Sequence, residues 1–275
     1  MGCARHAAFA LALCGCPSPP PAEHGPADET LSTVDRIIRR GTVPSDPDAI
    51  AACVARIDAQ QLCVPAPEAP RTFAIHCALD PRYTTKWPRW EERLASTVQC
   101  VNRLYAPTGV QWEIADIDEW DPGRERHALY PLLDRLQREL PADGKRFRLG
   151  ITVWDEDKVY GMSGGEIGLS QGSACVVPSW PRVENDCLIL AHELGHLVGA
   201  RHVPGARWIM GWKAQPFYLP AADPLARVAA TYRFHPLNAA LVAAQRTARL
   251  TRQGLVPTAP CAERLRRINA CWRAR

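Results

Sequence analysis

The chain has 275 residues, 47% of them hydrophobic and nine of them tryptophan, with a formal charge of +4. That is enough apolar material to bury a full core, near the upper range for one domain. No apolar run reaches the length of a membrane span, and no basic platform interleaved with aromatic residues points to nucleic acid as a partner.

At the start, Arg5 and His6 precede a short apolar stretch, Ala7 to Leu13, which ends in Leu13-Cys14-Gly15-Cys16. Residues 1–16 have the pattern of an export signal, too brief for a transmembrane helix. Leu-x-Gly-Cys resembles a bacterial lipobox, whose cysteine becomes lipid-modified. Cys16, preceded by the small Gly15, suits that role better than Cys14, and an ordinary secretory signal is the alternative. Residues 17–44 read as a tether, proline-rich and polar over 17–30, which cannot bury apolar surface. The expected location is outside the cytoplasm, lipid-anchored at the bacterial cell envelope or else secreted.

Residues 45–70 form an N-terminal helical segment: apolar spacing predicts a helix over 45–63, and Pro65, Pro67 and Pro70 end it. Residues 71–79 read as a strand. Residues 88–105 read as an amphipathic helix with Pro88 near its first turn and Pro107-Thr108-Gly109 closing it. A strand follows over 110–117, a helix over 124–140 and a strand over 146–154. The glycine-rich stretch 161–172 is expected to hold a short edge strand around Gly164 to Ser170, and 173–177 another strand. After Pro178 and Pro181 a helix runs over 183–198, a further helix is expected over 236–252, and 261–271 looks helical. The fold class is α+β.

The last element before residue 200 carries the chemistry. Ala191 to Arg201 and the next residue read AHELGHLVGARH, which contains H-E-x-x-H-x-x-G-x-x-H. Residues four apart share a helix face, so His192 and His196 can present two imidazoles to one ion. Gly199 lets the backbone leave the helix in a conformation that a side chain resists, and the turn brings His202 back as a third ligand. Three neutral nitrogens leave a tetrahedral Zn²⁺ with an open position, the catalytic arrangement. Glu193, next to the first ligand, reaches a water there without entering the coordination sphere. His76, His127 and His235 carry no such pattern and read as ordinary surface or core residues.

These residues resemble the metzincin clan of zinc peptidases. In that clan a methionine-containing turn lies beneath the metal; here Arg207-Trp208-Ile209-Met210-Gly211-Trp212 stands in that place, with Met210 as the apolar floor. Val203 after the third histidine and Trp212 in place of a switchable tyrosine leave the subfamily, matrixin-like or a related bacterial one, open. The resemblance implies a twisted mixed sheet of about five strands backed by helices in an upper catalytic subdomain, 71–200. A smaller, mostly irregular or helical lower subdomain, 201–275, would carry the methionine turn and C-terminal helices. It further implies one catalytic Zn²⁺ and an endopeptidase acting on peptides or proteins. Substrate would lie along the edge strand, with Trp212, Phe217 and Tyr218 near its side-chain pocket. An envelope-anchored module in which zinc only braces the fold, without peptidase activity, is the alternative.

Eleven cysteines are present; Cys3, Cys14 and Cys16 belong to the targeting segment and eight remain, an even number that in an exported chain implies disulfides. The element order suggests Cys77–Cys100 and Cys175–Cys187. Cys53 and Cys63 are spaced like Cys261 and Cys271, on two segments that both look helical. Continuous helix places residues of that spacing about 15 Å apart, too far for one bond. Two antiparallel helices stapled by Cys53–Cys271 and Cys63–Cys261 are therefore expected. A zinc site built from these cysteines is the rival, though it lacks C-x-x-C spacing. Residues 31–70 include no recognisable inhibitory plug, Cys63 being the single weak candidate to cap the metal.

Overall fold

A computed structural model describes residues 47–58, 60, 69–123, 128–153, 168–205, 207–211 and 223–272. In chain order its elements are α1 (Pro47–Asp58), β1 (Arg71–Leu79), α2 (Pro81–Lys86), α3 (Trp90–Tyr105), β2 (Val110–Glu119), α4 (Leu129–Glu139), β3 (Phe147–Val153), β4 (Leu169–Gln171), β5 (Ala174–Ser179), α5 (Val183–Leu197), α6 (Pro224–Thr231), α7 (Pro236–Ala244), β6 (Arg249–Thr251), β7 (Gly254–Val256) and α8 (Ala259–Cys271). The signal segment with Cys16, the tether, Cys63, Gly164, Trp212, Phe217 and Tyr218 lie outside the described residues.

The fold is α+β, built on a five-stranded mixed sheet in the order β2-β1-β3-β5-β4. The first four of these strands are mutually parallel and β4 is antiparallel to β5 at the edge. β3 is buried along its whole length, as FRLGITV suits a strand covered on both faces. One face carries the main core, in which Phe73, Trp112, Phe147 and Tyr105 pack ring against ring beneath α3 and α5. The other face packs Leu129, Leu132, Leu133 and Leu136 of α4 against Ala78, Ala174 and Val176.

Three stretches differ from expectation, one of them the helix α6, where no element was expected. Asp80-Pro81 starts the short helix α2, with the Arg82 N–H donating to the Asp80 carboxylate at 2.9 Å; a capping acid followed by proline is a helix-start signal. The helix expected over 236–252 stops at Ala244, and Arg249 to Val256 forms a two-stranded hairpin instead. Leu250 enters the core from β6, and the Gln253 N–H bonds the Thr251 hydroxyl, a local alternative to the helical ladder of the kind threonine offers.

The cysteines also need correction. Cys100 pairs with Cys187, Cα to Cα 6.0 Å, while Cys77 and Cys175 are buried free thiols. Neither Cys77–Cys100 nor Cys175–Cys187 exists, because α3 and α5 lie side by side on the same sheet face. Cys77 and Cys175 cannot join each other either: both stand in register with Leu149 of β3, one on each side. Two strand spacings of about 4.8 Å each exceed disulfide reach. A disulfide joins Cys53 of α1 to Cys271 of α8, Cα to Cα 6.2 Å. Cys261 is disulfide-bonded as well, and Cys63, its expected partner, lies outside the described residues.

Candidate metal centre

The ligand-bearing helix α5 begins with Glu184 and Asp186 in its first turn, where carboxylates meet the positive end of the helix. Asp186 does more than that. Its carboxylate accepts from the Trp180 N–H at 2.7 Å and the Ser179 hydroxyl at 3.3 Å, and from Arg93 of α3 through Nε at 2.9 Å and Nη2 at 2.7 Å. Arg93 also lies over the Trp87 ring at 4.1 Å. Burial dominates this site and pushes the Asp186 carboxyl up to about 6, the Arg93 charge opposing it.

α5 closes at the point where the motif requires it. The Gly199 N–H donates to His196 O at 3.0 Å and the Ala200 N–H to Gly195 O at 2.8 Å, with Gly199 at φ 85°. These two bonds with a left-handed residue between them are the Schellman closure. Beyond it the chain turns back and His202 arrives beside the other two histidines.

The three imidazoles converge through Nε2. His192 and His202 are 3.0 Å apart at these atoms, His196 and His202 3.1 Å, and His192 and His196 3.2 Å. The far side of two rings is held: Nδ1 of His192 donates to Ile209 O at 2.8 Å and Nδ1 of His196 to Ala200 O at 3.2 Å. A carbonyl only accepts, so the proton of each ring sits on Nδ1 and the Nε2 lone pair is left bare. Lone pairs aimed at one point repel unless a cation lies between them. A tetrahedral zinc with Zn–N of about 2.0–2.1 Å sets its nitrogens about 3.4 Å apart, within a few tenths of an ångström of the spacing here. The donor set therefore fits zinc. Burial, reinforced by the neighbouring histidines, holds His192 down at about 4 and His196 well below the ordinary range, so the neutral, ligating form dominates at neutral pH.

Glu193 is buried beside the triad. A side-chain carbon added to Gly168, just before β4, would stand 2.6 Å from Cγ and Oε1 of Glu193; the bare backbone there makes room for the carboxylate. Met210 is fully buried under the site. The Gly211 N–H donates to Trp208 O at 2.9 Å and the Val203 N–H to Met210 O at 2.8 Å, tying this turn to the segment that carries His202.

Three contributors were not singled out from sequence. Gly195, between the two helical histidines, gives Met210 its place: a Cβ there would lie 2.5 Å from the Met210 sulfur. A glycine inside a helix costs about 1 kcal/mol relative to alanine, and that cost was the available signal of a close approach. Tyr105, wholly buried, donates from its hydroxyl to Ala191 O at 2.8 Å, one residue before the first ligand. Arg93 anchors the helix start. Nothing local in the sequence marks either of the last two. Among the described residues, the three histidines are the one group of three or more ligating side chains near enough to hold a metal ion.

The sequence model of Reprolysin_5, metallo-peptidase family M12, matches residues 69–208, just over half of the chain. Among solved structures, archaemetzincin from Methanopyrus kandleri is similar at 18% identity, covering 66% of this chain and 97% of that one, with a TM-score of 0.42. No curated protein matches significantly.

Proposed function

The chain belongs to metallo-peptidase family M12, and from that premise we propose that it is a zinc-dependent endopeptidase with one catalytic ion on His192, His196 and His202. The observation that carries this reading is the convergence of three Nε2 atoms within 3.0–3.2 Å beside buried Glu193. An ion held there acidifies water and polarises a scissile carbonyl. The proton work falls to Glu193, whose carboxylate accepts a proton from the attacking water and delivers it to the leaving amine. The bare backbone at Gly168 leaves room for that buried side chain. Ile209 O and Ala200 O keep two ligand rings oriented before substrate arrives.

The substrate path follows from the sheet. β4 lies at the edge, and Gly168 at its start touches Glu193. A peptide that extends the sheet there gains backbone hydrogen bonds as an added strand does and passes the carboxylate. We assign the enzyme to the bacterial cell envelope, anchored through Cys16, on the strength of Leu13-Cys14-Gly15-Cys16 and of disulfides that need an oxidising compartment.

Glu193→Ala is the test. The expected result is a loss of casein cleavage by about 10²–10⁴-fold with zinc still near one per chain by metal analysis. Cleavage at the parent rate overturns the mechanism. A parent protein that holds zinc and cleaves no peptide in a broad library favours a zinc-braced structural module instead.

A further inference from the structure

The third ligand, His202, differs from the other two in standing outside α5, on the irregular segment 199–203. Peptide groups outside helix and strand need partners of another kind. The Ala200 N–H donates to Gly195 O, the Ala200 carbonyl accepts from His196 Nδ1, and the Val203 N–H donates to Met210 O. Between these, both backbone groups of Arg201 go to one side chain, Asn238 of α7. The Arg201 N–H donates to Asn238 Oδ1 at 2.9 Å, and Asn238 Nδ2 donates to Arg201 O at 2.8 Å. A side-chain amide that takes the N–H and the C=O of a single residue copies the bonded pair of an antiparallel sheet.

Asn238 is 0% exposed, on a helix whose other buried residues include Leu237, Leu241 and Val242. Burying an amide is costly unless it is bonded, and a leucine of similar reach would fill this place without that cost. Both bonds of the amide go to the residue just before His202. Exchanging Oδ1 and Nδ2 would set donor against donor and acceptor against acceptor, so the network fixes which way the amide points. Seven positions further, two helical turns on and so on the same face, Gln245 brings Nε2 to 3.4 Å from where a Cβ at Gly199 would stand. One face of α7 therefore meets the ligand segment at 199 and again at 201.

We propose that Asn238 is the positioning residue of the third ligand: it holds the Arg201 backbone and thereby sets where His202 Nε2 meets His192 and His196. The assignment rests on the zinc reading of the three histidines. Without the amide, the peptide planes on either side of Arg201 lose their shared anchor, and the loss falls on metal binding.

The experiment uses the full chain and two readouts that need no cleavage: zinc affinity by competition with a chelator, and the visible spectrum of the cobalt-substituted protein. Asn238→Leu is expected to lower zinc affinity about 10–100-fold and to weaken the cobalt bands of the three-histidine site. Ile268→Ala is the comparison, a cavity in the core on α8, which carries no ligand. It is expected to lower the melting temperature and to leave affinity and spectrum as in the parent. If Asn238→Leu fails to fold, Asn238→Asp carries the comparison, since it keeps the shape and the acceptor for the Arg201 N–H and sets an oxygen against the Arg201 carbonyl. Parent-like affinity and spectrum in the Asn238 variant overturn the positioning role. An equal loss in Ile268→Ala overturns it too, because global stability then accounts for the effect. A parent that takes up neither zinc nor cobalt overturns the zinc reading itself.

Discussion

Gly195 shows how a single missing carbon helps place a candidate metal ligand, His192. Met210 occupies the space a side chain at 195 would take, and the turn that carries Met210 also presents the Ile209 carbonyl to His192 Nδ1. Gly195→Ala is expected to cost about 1–3 kcal/mol through overpacking, read as a lower melting temperature. Zinc affinity is expected to drop about 10–100-fold as the carbonyl leaves the ring. Adding Met210→Ala in the same chain returns part of the stability, as contacting residues couple in a double-mutant cycle. Asp186 gives a prediction in pH. Its folded carboxyl titrates at about 6, above the ordinary 3.8. Between those two values the folded protein therefore holds a proton that the unfolded chain releases, and this site's contribution to stability declines as pH rises through that window. Carboxyl-carbon NMR checks it: a midpoint near 4 for Asp186 would show that the Arg93 pair outweighs burial. The clustering of the three histidines was legible because a metal demands fixed residue types at helical spacing. Tyr105 and Arg93 were not, since they act from 86 and 93 positions away from their partners.

At the scale of elements, the ligand helix α5 is bound to α3 by three different interactions: the Arg93–Asp186 ion pair, the Cys100–Cys187 disulfide and the Tyr105 hydroxyl on Ala191 O. Together they fix α5 along its first half, ahead of the histidines. Replacing Cys100 and Cys187 both by serine is expected to lower the unfolding free energy by about 2–5 kcal/mol, measured by denaturant titration. An unchanged midpoint would mean that packing alone holds the pair. Sequence periodicity placed Cys100 on a helix and Cys187 at the start of another, yet could not say that the helices touch each other before they touch the strands. The hairpin at 249–256 was hidden for a related reason. Arg249 to Thr251 continues an apolar pattern compatible with helix, and it is the burial of Leu250 in the core that selects a strand.

For the whole molecule, α1 and α8 close the chain on itself. Ile50 and Ile57 of α1 are buried in the main core, and Cys53–Cys271 bonds the segment covalently near the opposite end. α1 is thus part of the folded body. Under oxidising conditions a protease that cuts between α1 and β1 is expected to leave the two fragments associated on a non-reducing gel, and to separate them after reduction. Release without reductant would refute the staple. Metal removal is the second global test. With the ion gone, three Nε2 lone pairs face one another, so a chelator is expected to lower the melting temperature and added zinc to restore it, by the linkage between ligand binding and stability. A melt indifferent to chelator would separate the histidine cluster from the stability of the fold.

The sequence by itself picked out the candidate metal site, because three imidazoles, one carboxylate and a left-handed glycine within eleven residues are set by helix geometry and coordination chemistry, both local. It also determined the α+β class and the order of the five sheet strands with the helices at 90–105 and 183–197, since hydrophobic period is a property of short windows. Family membership in M12, rather than the clan alone, came from comparison over residues 69–208. What only the tertiary structure decided were the relations between distant segments: Cys100 with Cys187, Arg93 with Asp186, and Met210 in the gap at Gly195. Each depends on which elements pack face to face, and that choice is made by the burial of the whole core at once, which no single window of sequence contains.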